Sequence, residues 1–464
     1  MTMPLRRGSS LQREPRAKHP RQSTRRALLA GAGVLAVAPF AAACGAGGGT
    51  GASGTTGEVP PAKLKVGATL TYWNDMGGAY PGLMQQWAET FQQRTGVKVE
   101  ATGGIGGYGD KLNAAFAGGS PPDVWRYLQE NIPIPAAVER NMLLKLDPFI
   151  KRDKYDLSDF RKDSIILYQW KGSQYALPRD YGLQLIFYNT DLFAKLGLPP
   201  IPTDWNDKTW TFQKFVETCV RLANSGERYA LFVPRGVRLW ASFVYSNGGA
   251  IVKKNADGLA TEIALAEKPA TDALQLMQDL IYKYKVAPQP SEEGSLGNQL
   301  DLIQQGRLAL QITNPGANSN YKRVTGLPYD VGVFPLGAAA RRGVGGGGTG
   351  WGIAASTKLP EEAWAFIAYI ASREGEMDEV RIGQTTPSRV SVATSQEYLA
   401  PPPAHARVFA DGQEYVVRDP VHTRWPDVQR DVVDKILSEE LWTGKSSAAQ
   451  VTKLIKEQGD PYFK

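Results

Sequence analysis

Strand and helix patterns alternate from about Lys65 to the end of the chain, and this alternation restricts the fold more than any other feature. Ala68-Thr69-Leu70-Thr71-Tyr72-Trp73 alternates as a half-buried strand. Leu83, Met84, Trp87, Ala88 and Phe91 then share one face of a helix that Gly96 stops. Val97–Ala101 predicts a second strand, and Leu112, Ala115 and Phe116 mark a second helix. Further on, the spacing predicts strands over Leu185–Tyr188, Leu231–Val233, Leu308–Thr313, Val331–Phe334 and Trp351–Ala355. Helices are predicted over Trp210–Ala223, from Ala270 to Tyr284, over Glu361–Ser372, and twice within Asp427–Gln458. Such alternation implies an α/β fold with parallel strands and crossover helices. No internal repeat is visible, and the length suffices for two cores, hence two lobes.

The first sixty residues have a different character. Ser23-Thr24-Arg25-Arg26 precedes an uncharged apolar run that ends at Ala41-Ala42-Ala43-Cys44. A basic start, a short apolar segment and small residues at its end mark an export signal, and the paired arginines resemble a Tat signal. Cys44 after small residues resembles a lipobox, with Ala41 where leucine is usual, so Cys44 is the expected acylation site and mature N-terminus. The rival reading, an uncleaved membrane helix, suits the segment less well, because Leu28–Ala43 is short and contains Pro39. Residues 1–43 are therefore read as a leader, and residues 44–63, rich in Gly, Thr, Ser and Pro, as a flexible linker.

Charge supports this division. The whole chain has 53 Lys+Arg against 46 Asp+Glu, a formal charge of +7. Arg6, Arg7, Arg13, Arg16, Lys18, Arg21, Arg25 and Arg26 precede Cys44, opposed only by Glu14, and without them 45 cations face 45 carboxylates. The basicity belongs to the leader, so nothing argues for a nucleic-acid partner. Cys219 is the only cysteine besides Cys44, and its helical spacing with Phe212, Phe215, Val216 and Leu222 reads as core rather than nucleophile.

Gly104-Ile105-Gly106-Gly107-Tyr108-Gly109 matches a dinucleotide fingerprint in context, between strand and helix, with Asp123 and Glu130 about twenty residues on. Nicotinamide cofactors are not freely supplied outside the cell, and glycines this dense match by chance. The stretch is read as a flexible loop that brings Tyr108 towards a ligand, and no cofactor is expected. Gly345–Gly350 lacks the Lys-Ser/Thr ending of a P-loop and precedes a strand, so it reads as a hinge-side loop. His405 and His422 are the only histidines after the leader, and no metal-ligand spacing appears. Acid–base and metal chemistry are poorly supplied.

Aromatic residues beside turn signals are more telling. Trp73-Asn74-Asp75, Trp125-Arg126-Tyr127, Arg179-Asp180-Tyr181, Trp240 and Gly350-Trp351-Gly352 fall at predicted strand ends or in loops. Ligands of open α/β sheets bind outside the carboxyl ends of strands. An indole there offers a flat apolar face and one donor, which suits a sugar ring. Core packing remains the competing reading for each tryptophan taken alone.

An ordered series of short motifs then resembles one family. Ala117-Gly118-Gly119-Ser120-Pro121-Pro122-Asp123-Val124, Leu144-Lys145-Leu146-Asp147, Tyr175-Ala176-Leu177-Pro178 and Phe187-Tyr188-Asn189-Thr190-Asp191-Leu192-Phe193 follow one another in the expected order. Ser246–Ala250, Leu302–Leu310, Thr349–Ile353 with Pro360–Trp364, and Gln384–Arg389 continue the series. The chain resembles the family 1 extracellular solute-binding proteins, substrate receptors of ABC importers that include maltose-binding protein, from about Leu64 to Phe463. The resemblance implies a two-lobe periplasmic-binding-protein-like fold of type II, with lobes joined by crossover hinge strands and ligand between them. It implies one lobe from residues 64–180 and 334–372, and another from 181–333 and 373–464. Ligand positions carry over onto Trp73, Asn74, Trp125, Arg126, Asp180, Tyr181, Trp240, Asn247, Asn314 and Trp351, with Arg389 beside them. Arg179-Asp180-Tyr181 replaces residues that are often apolar, which implies more polar recognition.

The expected protein is thus a monomeric, lipid-anchored receptor for a mono- or oligosaccharide, with ABC permease transmembrane subunits as partner and no enzymatic activity. Two rivals remain. A receptor for a polyol, glycerol phosphate or peptide is one, and anion specificity would require Arg126, Arg179 and Arg389 to converge. An exported glycoside hydrolase is the other, and it needs two carboxylates at a set separation.

Overall fold

The computed structural model describes residues 63–464 except 227 and 228. The expected leader, Cys44 and all of the expected linker but Lys63 lie outside the described residues. The opening alternation forms strand Thr69–Trp73, helix Tyr80–Thr95 and strand Lys98–Thr102. Pro81 starts the helix in its first turn, where a missing N–H costs nothing. Gly96 ends it in the left-handed conformation at φ 75°, donating to the Gln92 carbonyl at 2.8 Å. Its buried face is Leu83, Met84, Trp87, Ala88 and Phe91, as the spacing predicts.

Five strands make the first-lobe sheet, in the order 98–102, 69–73, 124–127, 350–353, 176–178. The first three run parallel, and Gly350–Ile353 enters antiparallel to both neighbours. Both faces are covered. Val124 and Leu177 pack with Leu70, Tyr72 and Trp87 on one side, while Trp125 and Ala176 pack with Tyr127 and Tyr168 on the other. The two-residue period of a strand enforces that division.

A second, larger core gathers around a three-stranded sheet, 310–313, 185–189, 329–332. Its pairings are all antiparallel, unlike the parallel arrangement expected from the alternation. Helices Phe212–Ala223, Val237–Ser246, Lys268–Tyr282 and Ala448–Gly459 contribute residues to this core. Cys219 is fully enclosed in it, and burial pushes its thiol pKa up. Leu231–Val233 is buried there too, but outside any strand. The expected tail helices occur, the first from Trp425 to Leu441 with π-helical turns.

Packing moves the expected lobe boundaries. Phe334 and Val344 lie in the second core, so the second lobe continues past residue 333 to the strand Val344–Gly346. Helix Arg373–Arg381 instead belongs to the first lobe: the Trp87 indole donates to Asp378 at 3.1 Å, and Tyr80 bonds Glu379. Residues to Ser391 follow it, since the Ser391 hydroxyl donates to Asp159 at 2.7 Å, and the second core resumes at Ala406.

Candidate functional site

Two of the passages between lobes run side by side. Asp180–Leu183 leaves the first-lobe sheet as Gly346–Thr349 enters it. Gly182 and Gly347 exchange backbone hydrogen bonds of 2.7 and 3.2 Å. The Asp180 bridge to Pro387 and the Tyr181 N–H bond to the Thr386 carbonyl, 2.9 Å, tie residues 386 and 387 to the same seam. The approach is close enough to demand glycine: a Cβ on Gly348 would stand 2.0 Å from the Asp180 carbonyl oxygen.

A cleft of about 380 Å³ opens against this seam, within the ~300–1,000 Å³ range of small-molecule sites. Met76, Arg126, Arg179 and Asp180 line it from the first lobe. Thr313, Asn314, Gly316, Ala317, Ser319 and Asn320 line it from the second, and Gly383–Thr386 close it. None of these side chains is aromatic. The lining is a field of hydroxyl, amide and backbone groups around two arginines.

Both arginines are already matched. Arg126 pairs with Asp75 at 2.5 Å and donates to the Thr349 hydroxyl at 3.3 Å. Arg179, 2 % exposed, meets Asp180 at 2.5 Å and Glu379 at 2.8 Å, and donates to the Gln384 carbonyl at 2.7 Å. Burial opposes the Arg179 charge, but Glu379, Tyr80 and Asp180 beside it hold the guanidinium protonated. Burial also pushes the Glu379 carboxyl above the usual carboxylate range against the pull of Arg179. The cation is the member of that pair whose charge is secure, because arginine does not deprotonate in proteins. Asp180 accepts from the Thr349 N–H at 2.5 Å, so one network fixes the cleft floor.

Of the expected ligand positions, Arg126, Asp180 and Asn314 meet in this cleft. Trp73 is half-buried against the core around Tyr127 and is not among the cleft-lining residues. The others are held elsewhere. Asn74 is fully buried, donating to Tyr72 at 3.0 Å and accepting from the Met76 N–H at 3.0 Å. The Tyr108 hydroxyl reaches the Trp73 and Arg126 carbonyls at 3.2 and 3.0 Å, so it pins two strand ends instead of entering the cleft. Trp125 is enclosed by Phe116 and Tyr127, and Tyr181 lies in the same core. Trp240 is sealed in the second core. Asn247 donates to the Pro269 carbonyl at 2.8 Å and accepts from the Ala338 N–H at 2.9 Å. Trp351 packs edge-on to Tyr72 and Trp87 with centroids 5.8 and 6.2 Å away. Arg389 stacks over Phe160 at 3.9 Å and donates to the Ala371 carbonyl at 2.7 Å, so it does not converge with Arg126 and Arg179.

The expected indole wall is therefore corrected to core packing. Trp125 and Trp351 lie within strands of a sheet covered on both faces, which leaves them no open side, whereas Trp73 at its strand end stays half-buried. The sequence reading missed Thr313, Ser319 and Asn320, and also Gln384, Thr385 and Thr386. Their available signals were the turn Asn314-Pro315-Gly316 after a predicted strand and the late Gln384–Arg389 motif. Among the described residues no group of His, Cys, Asp or Glu is arranged to hold a metal ion.

This two-lobed geometry has relatives. The model of the bacterial extracellular solute-binding protein family matches residues 74–377, well over half of the chain. The chain belongs to this family. Such proteins bind solutes outside the cytoplasm, so an extracytoplasmic location follows. A solute-binding protein of Listeria monocytogenes, Lmo0181, solved with cycloalternan, superposes with a TM-score of 0.73 at 21% identity, covering 85% of this chain and 98% of that one. Maltose-bound MalE3 of T. maritima gives 0.70 at 21%, covering 84% and 98%. At these identities the likeness establishes the fold: two lobes of the periplasmic-binding type. Among curated relatives, the erythritol/L-threitol-binding protein of Mycolicibacterium smegmatis is 25% identical over 259 residues, 48% of this chain and 49% of that protein. A binding protein of Brucella abortus is 26% identical over 210 residues, 44% and 48%. The chain spans about half the length of the curated relatives it matches.

Proposed function

We propose that this solute-binding protein captures a neutral carbohydrate, a mono- or oligosaccharide, between its lobes and delivers it to the transmembrane subunits of an ABC importer. The observation that carries the reading is the cleft's chemistry. Hydroxyl and amide groups from both lobes surround two arginines that are already paired with Asp75, Asp180 and Glu379. Such a lining offers paired, oriented donors and acceptors to a polyhydroxylated guest and no surplus charge to an anion. The sugars named with the structural neighbours agree with this choice. A guest that touches both lobes stabilises the closed arrangement by its differential affinity, and the closed form is the one read by the permease.

A polyol is the second reading. It is favoured by the absence of aromatic side chains among the cleft-lining residues, and by the relative named for erythritol and L-threitol. A thermal-shift screen over neutral sugars, polyols, sugar phosphates and peptides separates the cases. A bound ligand at a hundred times its Kd stabilises by about 2.7 kcal/mol. A response to neutral sugars supports the proposal, and a response confined to polyols selects the second reading. A response confined to sugar phosphates or peptides overturns both, and turnover of a glycan would favour the exported hydrolase.

We also read the protein as a monomer tethered through acylated Cys44 after Tat-type export, on the strength of the twin arginines and the small residues before the cysteine. Cys44→Ala releases the folded protein from the membrane fraction if this is right, and leaves its distribution unchanged if it is not.

A further inference from the structure

An ion pair links a side chain of the first lobe to a side chain of the second: Glu130 Oε2 and Arg238 Nη2, 3.4 Å apart. Neither residue lines the ligand cleft. We propose that this pair is an electrostatic latch that holds the lobes in the arrangement of this structure and thereby tunes the affinity of the protein for its solute.

Each half of the pair is mounted rigidly on its own lobe. Arg238 opens the helix Val237–Ser246, and Asp419 accepts from its Nε at 2.9 Å and its Nη2 at 2.6 Å. Asp419 follows the strand Val416–Arg418, which pairs with Val344–Gly346, so anchor and anchored group both belong to the second lobe. The guanidinium is therefore positioned whatever the lobe angle. It lies beside the seam, where a Cβ on Gly347 would meet its Nη2 at 3.0 Å. Glu130 sits in the turn after the first-lobe strand Val124–Tyr127. That turn is fixed by Ile132 donating to the Leu128 carbonyl at 3.2 Å and by Tyr127 donating to the Ile132 carbonyl at 2.6 Å.

The separation of the two charges thus reports the relation between lobes. Glu130 is 45% exposed and Arg238 24%, so solvent and salt reach the pair and its weight is that of a surface ion pair. That is small for folding, but an open–closed balance of a few kcal/mol responds to such increments. The inference rests on the two-lobe fold and not on the identity of the solute.

The test needs no ligand. Spin labels on Lys111→Cys and Lys214→Cys, one exposed site on each lobe, are placed in the Cys44→Ser chain, where Cys219 is sealed. Interlobe distances are measured by pulsed EPR at about 0.01 M and 1 M ionic strength, between which the Debye length falls from about 30 to about 3 Å. Glu130→Gln is expected to change the ratio of long to short distances about two- to five-fold at low salt. Glu130→Arg is expected to shift it further in the same direction, and the wild type to approach both variants at high salt. Superimposable distributions for wild type and Glu130→Gln at low salt overturn the latch, as does a difference that persists at high salt. Should a variant fold poorly, salt titration of the wild type alone distinguishes the same two outcomes. The solute reading fails separately, by silence in the thermal-shift screen.

Discussion

Trp351 and Arg126 are register partners on adjacent antiparallel strands, yet one is sealed and the other meets the cleft. Their substitutions should separate stability from binding. Trp351→Ala empties space between Tyr72 and Trp87 and is expected to cost about 3–5 kcal/mol in denaturant unfolding, with the affinity of the remaining folded protein unchanged. Arg126→Ala removes a cleft donor and leaves Asp75 without its ion pair. Titration calorimetry should show binding weakened about tenfold or more, equivalent to ~1.4 kcal/mol, with a smaller loss of stability than Trp351→Ala. The reverse pattern would return Trp351 to the ligand site. Residue identity alone could not make this distinction, because a tryptophan between glycines suits a cleft and a core equally well until both faces of the sheet are known to be covered.

At the scale of elements, the two glycine-rich runs predict opposite behaviour. Gly348→Ala forces a methyl group onto the Asp180 carbonyl at the seam, and overpacking of this kind costs about 1–3 kcal/mol. Gly106→Ala meets nothing within 4 Å and is expected to change the melting stability by no more than about 0.5 kcal/mol. Equal effects in a thermal melt would contradict the assignment of the first run to a surface loop and the second to the crossovers. Helices and first-lobe strands were legible in the sequence because periodicity is local: the faces of 80–95 and 268–282 lie where the spacing puts them. The antiparallel second sheet was not legible, because strand direction depends on pairing between distant segments such as 185–189 and 310–313. Nor was Leu231–Val233, an apolar run that is buried without a ladder partner on its own length. The cleft was legible only where a motif touched it. Arg126 is next to last in its strand and Asp180 and Asn314 follow strand ends, while Ser319 and Asn320 reach it through a turn whose direction no periodicity encodes.

For the whole molecule, pH should act through a buried carboxyl beside Ser388 and Arg389. Glu376 is enclosed, and burial pushes its pKa up to about 7 although Ser388 and Arg389 donate to it. The folded pKa is thus above the unfolded one. The stability this group contributes is fully present below about pH 4.5 and is lost as pH rises through about 7. Melting of the wild type minus that of Glu376→Gln should therefore fall between pH 5 and pH 8, by on the order of 3 kcal/mol in stability. A flat difference would show that the donated hydrogen bonds outweigh burial.

The order of strands in the first-lobe sheet also bears on how the chain is made. Gly350–Ile353 fits between Val124–Tyr127 and Ala176–Pro178, both of which leave the ribosome long before it does. Until then the nascent sheet has a slot in its middle, with unpaired backbone on either side, while the whole 185–346 stretch is being synthesised. The first half to be translated consequently stays incomplete until residues 350–353 emerge, and chaperone capture or aggregation during synthesis should concentrate on that open slot.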